Sequence, residues 1–395
     1  MPLLTPEIKE FIAANRGVSA EDLALKAKKV SELPMAFIAQ QVKGRAKIFR
    51  KLPSWFANEQ VVFPKSLSLE QCSSEAAARY KAGLVEGKSA IDLTGGYGVD
   101  TRFLCDRFEK VTHVERQGEL TEIVRENALA FGIGETLECV EGDGLEILRE
   151  RKGRFDLIYA DPARRDDRSL KVSAFEDCEP NLIACWEELL ERGSTVMVKA
   201  SPGLDVSRGL EQLSGVFASH IVSVENECKE VLFLARQGSS DEPRIHCVNI
   251  LKNGEVERFA FSMSEERALD GEYGALGRYL YEPNASVMKG GGFKSFAKEV
   301  GLPLASQRTR FLCGDALNEG FPGRVFEILD TANVGAKEAK GMFPGRKANV
   351  IARNCGMGAE ELKKKLKLKD GGEWFAIGTT DWEGKRVLLK AKRVS

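Results

Sequence analysis

From about Glu75 to Val198, short apolar runs alternate with amphipathic stretches, and few folds accommodate that order. Residues 90–93, 111–114, 137–140, 155–160 and 195–198 read as strands. Residues 76–84, 99–105, 120–131, 145–149 and 181–192 carry helical periodicity. This alternation predicts a mostly parallel sheet covered on both faces, an α/β, doubly wound, Rossmann-like architecture. Residues 221–224 and 231–235 lack a clear helix between them and are expected to form an antiparallel pair at the sheet edge.

The flanks read differently. Thr5-Pro6 is a helix start, with Thr as N-cap and Pro at the first helical position. Ser19 to Asp22 opens a second helix with a capping-box-like pair, and Pro34 begins a third segment ending near Pro53. Within it Lys43, Arg45, Lys47, Arg50 and Lys51 occur without an acid, which fits either a solvated helix face or nucleic-acid contact. Beyond Asp241 two apolar runs flank Asn253-Gly254, a hairpin signal. Residues 282–322 are glycine-rich, and the tail reads as strand (349–353), helix (359–366) and hairpin (374–379 with 386–391). In that helix Leu362, Leu366 and the following Leu368 form a core stripe, and the lysines a solvated face or a phosphate track.

Length and charge bound the rest. A chain of 395 residues suggests two to three domains at about 150 residues each. The net charge is −1, yet residues 336–395 hold 15 Lys and Arg against 7 Asp and Glu. A basic tail on an acidic body suggests an anionic partner, with a solvated face as the alternative. No stretch approaches the ~20 apolar residues of a membrane span, and the N-terminus lacks an apolar signal core. The nine cysteines contain no C-x-x-C, and His113, His220 and His246 lie far apart, so no structural metal is expected. Reduced thiols point to a cytoplasmic location.

The chemistry concentrates at the strand ends. Asp92-Leu-Thr94-Gly95-Gly96-Tyr97-Gly98-Val-Asp100 directly follows the first strand, where glycines permit a tight turn and close backbone approach to a ligand. The spacing is not the G-x-G-x-x-G of a dinucleotide fold. Glu115 closes the second strand and could accept both ribose hydroxyls of a nucleoside. Asp143, in Gly142-Asp143-Gly144 after the third strand, could accept an exocyclic amine. Asp161-Pro162-Ala163-Arg164-Arg165 follows the fourth. One strand-end acid is an ordinary turn residue; four in register point to a nucleoside site.

These residues resemble the class I S-adenosylmethionine-dependent methyltransferases. The resemblance implies S-adenosylmethionine as cofactor, held by Asp92, Thr94, Gly95, Gly96, Gly98, Asp100, Glu115, Asp143 and Gly144. Gln71, Ser73 and Ser74 join that set if the helix they open faces the glycine loop; the plainer reading is an N-cap. Asp161 and Pro162 match the start of the D/N-P-P-aromatic motif of amino-group methyltransferases, but Ala163 and Arg164 replace its second proline and its aromatic ring. A D-P-A-R sequence is similar to RNA uracil-5-methyltransferases, yet residues 198–203 hold no thiol, which excludes covalent uracil chemistry. Catalytic roles are expected for Asp161, Pro162 and Arg164. Arg165, Lys199, Ser201, Arg353, Lys363 and Lys364 are expected on the substrate or RNA side.

The resemblance extends along the chain, to a bacterial methyltransferase family with C-terminal ferredoxin-like and THUMP-like domains. It rests on Leu69 to Glu75, Glu227 to Glu230, residues 280–314, and three segments of the basic tail. The implied organisation is a helical region (1–75), a methyltransferase domain (76–240), a β-rich connection (241–281), a ferredoxin-like domain (282–322) and a THUMP-like basic domain (323–395). The implied function is direct methylation of a base in structured RNA, with RNA as partner and neither membrane nor metal involved. A small-molecule methyltransferase and a non-catalytic RNA-binding protein stay open beside it. A nicotinamide oxidoreductase lacks its motif.

Overall fold

The computed structural model describes residues 4–15, 18, 22–23, 33–164 and 175–394. The chain divides into two compact units, Met1–Ser219 with Lys229–Asp241, and His220–Cys228 with Glu242–Ser395.

The first unit opens with the helix Pro6–Ala14, whose Thr5 cap accepts from the Ile8 N–H at 3.3 Å and whose Ile8 and Ile12 are buried. Ser19 to Glu21 lie outside the described residues. The helices Met35–Ile48, Pro53–Ala57 and Ser66–Gln71 follow. Here the basic run proves largely structural. Arg45 is buried and donates to the carbonyls of Phe56 and Asn58. Lys47 pairs with Glu70, and Lys51 donates to the Leu69 and Glu70 carbonyls. Lys43 and Arg50 are the members of that run without such a bond among the described residues.

The sheet of this unit comprises β1 (Gly87–Asp92), β2 (Phe108–Glu115), β3 (Leu137–Glu141), β4 (Phe155–Ala160), β7 (Gly193–Ala200) and β9 (Glu227–Ala235). Two-residue strands β5 (Ala163–Arg164) and β6 (Cys178–Glu179) pair antiparallel beside it, and β8 spans Val216–Val224. Neighbours run in the order β9-β7-β4-β1-β2-β3. All these pairings are parallel except β7 with β9. Connecting helices include Glu75–Ala82, Val99–Leu104, Gly118–Ala130, Gly144–Glu150 and Leu182–Arg192. Ile91, Val114, Leu157, Ile158, Val196 and Val198 fill the interior, as strands covered on both faces require. A helix at Val206–Gln212, not expected from the sequence, starts on Asp205, whose carboxylate accepts from the Arg208 N–H.

The second unit holds the hairpin β10 (Arg244–Ile250) and β11 (Val256–Phe261), turned at the left-handed Gly254 as Asn253-Gly254 predicts. It also holds a six-stranded sheet, made of β12 (Tyr279–Pro283), β13 (Leu312–Gly314), β14 (Gly323–Asn333), β15 (Asn349–Ala352), β16 (Trp374–Thr380) and β17 (Arg386–Arg393). Their order is β13-β12-β14-β17-β16-β15, so residues 279–314 and 323–393 share one sheet. Leu362, Leu366 and Leu368 are buried beneath it, the core stripe expected of the helix Ala359–Leu366.

Candidate active site

Parallel strands present their carboxyl ends on one side of a sheet, and a cleft of about 770 Å³ opens there, within the ~300–1,000 Å³ of small-molecule sites. Register sets its geometry: Asp92 stands opposite His113 of β2 and Tyr159 of β4, and Glu115 opposite Glu141 of β3. Asp92, Thr94, Gly95, Gly96, Gly98, Asp100, Glu115, Asp143, Gly144, Asp161 and Pro162 all line the cleft. Gln71, Ser73, Lys199 and Ser201 join them.

The glycine loop is held from inside. Gly98 caps the next helix at φ 72°, and Gly96 has φ 55°, left-handed geometry that a side chain strains. A Cβ on Gly95 would lie 2.1 Å from Cε1 of His113, so only glycine fits there. Asp92 is buried; its Oδ1 accepts from the Thr94 N–H at 3.0 Å and its Oδ2 from the Thr101 hydroxyl at 2.7 Å. Burial pushes its carboxyl up to about 7. Burial likewise lowers His113 to about 3, leaving a neutral ring 3.0 Å from the Thr101 hydroxyl.

Asp100 belongs to a buried charge network that the sequence reading missed. Lys81 reaches Asp100 Oδ1 at 2.8 Å, Glu230 Oε2 at 3.0 Å and the Ser73 hydroxyl at 2.7 Å. Ser73 and the Tyr159 hydroxyl both donate to Asp100 Oδ2. Burial raises Glu230; burial alone would raise Asp100 too, but Lys81, Lys199 and the Ser73 hydroxyl together hold it low. Lys199 pairs with Asp161. Burial alone would lower Lys199, but the charges of Asp161, Glu230 and Asp100 raise it. Ser74, by contrast, does not line the cleft; it caps the helix Glu75–Ala82 by accepting from the Ala77 N–H.

The acids at the cleft rim have different freedoms. Glu115 accepts from the backbone N–H of Gly96 at 2.9 Å and of Gln117 at 2.8 Å, so its remaining lone pairs can take two hydroxyls. Asp143 caps the helix Gly144–Glu150 through Oδ1, and its Oδ2 takes Arg116. Burial pushes Asp143 up, yet Arg116 and the cap N–H groups bring it below the usual carboxylate range. Arg116 also pairs with Glu179 and lines the cleft, a residue that no local motif marks. Of the DPARR stretch, Arg164 is placed by its backbone alone, in β5, and Arg165 lies outside the described residues.

Glycines admitting close backbone approach, a diol-accepting carboxylate and a surplus of acids over bases suit a cationic nucleoside such as S-adenosylmethionine. Among the described residues no group of three or more His, Cys, Asp or Glu is placed to hold a metal. No described helix is long and apolar enough to cross a membrane.

Arg353, Lys363 and Lys364 sit in the second unit. Arg353 donates to Glu282 Oε1, and Lys363 pairs with Glu360 and Asp370 on its own segment, while Lys364 is exposed.

Comparison with known proteins agrees with this geometry. A ferredoxin-like domain family matches residues 279–322, and a THUMP domain-like family residues 323–393. The crystal structure of a candidate methyltransferase from Porphyromonas gingivalis W83 superposes with a TM-score of 0.86. It is 30% identical, and the match covers 100% of both chains. The probable cobalt-precorrin-6B C(15)-methyltransferase (decarboxylating) of Pyrobaculum aerophilum is 28% identical over 94 residues. That match covers 23% of this chain and 48% of that protein, so the chain spans about half the length of this curated relative.

Proposed function

The chain belongs to the class I S-adenosylmethionine-dependent methyltransferases that carry C-terminal ferredoxin-like and THUMP-like domains, and from that premise we propose that it methylates a base in structured RNA. The observation that carries the catalytic part is the Asp161-Pro162 loop, tied to the glycine loop inside a cleft of nucleoside size. The RNA part is supported by the THUMP-like match and the basic tail.

When bound, S-adenosylmethionine supplies a methyl group activated by an adjacent sulfonium charge. Glu115 would take the ribose hydroxyls, and the glycine loop 95–98 would let backbone approach the cofactor closely. Asp143, beside the Arg116–Glu179 pair, would take the exocyclic amine. Asp161 accepts an N–H of the target nitrogen and offsets charge developing there, while Pro162 stiffens the loop that aims it. Lys199 fixes the Asp161 carboxylate, and Ser201 borders the acceptor side. Arg164 and Arg165 grip a phosphate or stack on a base. Alignment of donor and acceptor, with water excluded, supplies most of the rate enhancement. The nine cysteines, none in a disulfide, support a cytoplasmic setting for this reaction.

The test is transfer of radiolabelled methyl from S-adenosylmethionine to tRNA and rRNA from cells lacking the protein, beside an Asp161→Ala control. Label in one RNA fraction, lost in a control that still binds cofactor by calorimetry, is the expected result. Cofactor binding without labelled RNA would turn the assignment to a small-molecule acceptor or to RNA binding without catalysis.

A further inference from the structure

We propose that a second cavity, confined to the C-terminal unit, is a phosphodiester-binding site that engages the RNA backbone. It measures about 700 Å³, and its charged lining is Lys289, Arg308, Arg310, Arg324 and Arg353 around a single acid, Glu282. Five cations against one carboxylate leave a surplus of four positive charges facing one concavity, far more than folding alone requires.

The carboxylate organises the cations rather than neutralising them. Glu282, on β12, is buried, and its two oxygens serve two different guanidinium groups. Oε2 takes Arg324, its register partner on β14, with Nε at 2.7 Å; Oε1 takes Arg353, just after β15, with Nε at 3.1 Å and Nη2 at 2.9 Å. Each guanidinium is thereby locked in a plane, which pre-organises its remaining N–H edge for planar, bidentate recognition of phosphate. Arg324 and Arg353 lie in the THUMP domain-like segment, while Glu282, Lys289, Arg308 and Arg310 lie in the ferredoxin-like one. Neither segment alone makes the site.

The outer cations are free to take a ligand. Arg308 is exposed and Lys289 half-buried, and among the described residues neither side chain has an ion-pair partner. Arg310 is also exposed, stacked 5.2 Å from the Phe293 ring centroid and donating to the Met288 carbonyl at 3.1 Å. An inner fixed pair and an outer adaptable trio suit successive phosphates of one strand better than a single small anion.

This assignment rests on the RNA reading but fails separately from it. Binding of fluorescein-labelled total tRNA would be measured by anisotropy between 50 and 200 mM salt, for the full chain and for Arg308→Ala/Arg310→Ala. These two side chains are exposed and make no bond to the Glu282 centre, so the fold and cofactor affinity should be unchanged. The expected result is roughly tenfold weaker tRNA binding, with a salt slope shallower by about one to two. Arg308→Lys/Arg310→Lys should restore the slope. Equal affinity and slope in wild type and the alanine variant would overturn the site, even if methyl transfer to RNA is observed. Wild-type binding without methyl transfer would overturn the catalytic reading and leave the site standing. Binding of inorganic pyrophosphate, lost in the alanine variant, with no binding of tRNA would overturn the RNA assignment in favour of a free phosphorylated ligand.

Discussion

Thr94 Oγ1 accepts a 2.6 Å hydrogen bond from the backbone N–H of Asp161. One hydroxyl thus fastens the glycine loop after β1 to the loop after β4, the two loops that the proposed reaction must align. Alignment of two reactants depends on the distance between those loops, so the bond should bear on rate as well as on stability.

Thr94→Val keeps the shape of the side chain and removes the acceptor. The Asp161 N–H then lacks its partner, a cost of about 1–3 kcal/mol. We expect kcat for methyl transfer to fall by about tenfold, with cofactor affinity changed far less and Thr94→Ser close to wild type. An unchanged kcat in Thr94→Val would show that the tether is dispensable.

Asp92 gives the protein a pH signature. Its carboxyl is raised to about 7 in the fold by burial, against about 3.9 in an unfolded chain. Between these values the folded state holds a proton that the unfolded state has lost, so stability falls as pH rises from about 4 to about 7 and levels off above. Asp92→Asn carries no such proton, and its amide can still accept from the Thr94 N–H. Urea unfolding should therefore show the variant gaining on wild type by about 3 kcal/mol between pH 5 and pH 8. A constant difference across that range would contradict the assignment.

Lys81 is the ammonium shared by Asp100 and Glu230, all three largely removed from water. Lys81→Met leaves two buried acids with only the more distant Lys199 charge to offset them, and we expect a loss of about 3–5 kcal/mol. Adding Glu230→Gln removes one of the stranded charges and should recover part of it. A double variant no more stable than Lys81→Met would place the damage in packing instead.

Gly95 leaves room for the His113 ring and nothing larger. Gly95→Ala should destabilise by about 1–3 kcal/mol through overpacking. Combined with His113→Ala it should cost less than the sum of the single changes, because the clash is then gone. Strict additivity in thermal denaturation would point to loop conformation rather than the ring.

What the sequence by itself determined is local. Strand periodicity, the glycines at left-handed turns and an acid at each strand end follow from backbone preferences within a few residues. They brought Asp92, Thr94, Glu115, Asp143 and Asp161 to one cleft without knowledge of the packing. Two alternatives that local signals left open are decided by packing: the Ser74 hydroxyl caps its own helix end, and Arg45 is buried against two carbonyls. Lys81 meets Glu230 across 149 positions of sequence, and Arg116 reaches Asp143 and Glu179 from a strand end with no motif around it. Glu282 takes Arg324 across the β12–β14 pairing and Arg353 from the end of β15, a strand at the far edge of the sheet order. Those pairings were decided by the tertiary structure, since a charge finds its partner through strand register and burial, and neither is written in the spacing of neighbouring residues.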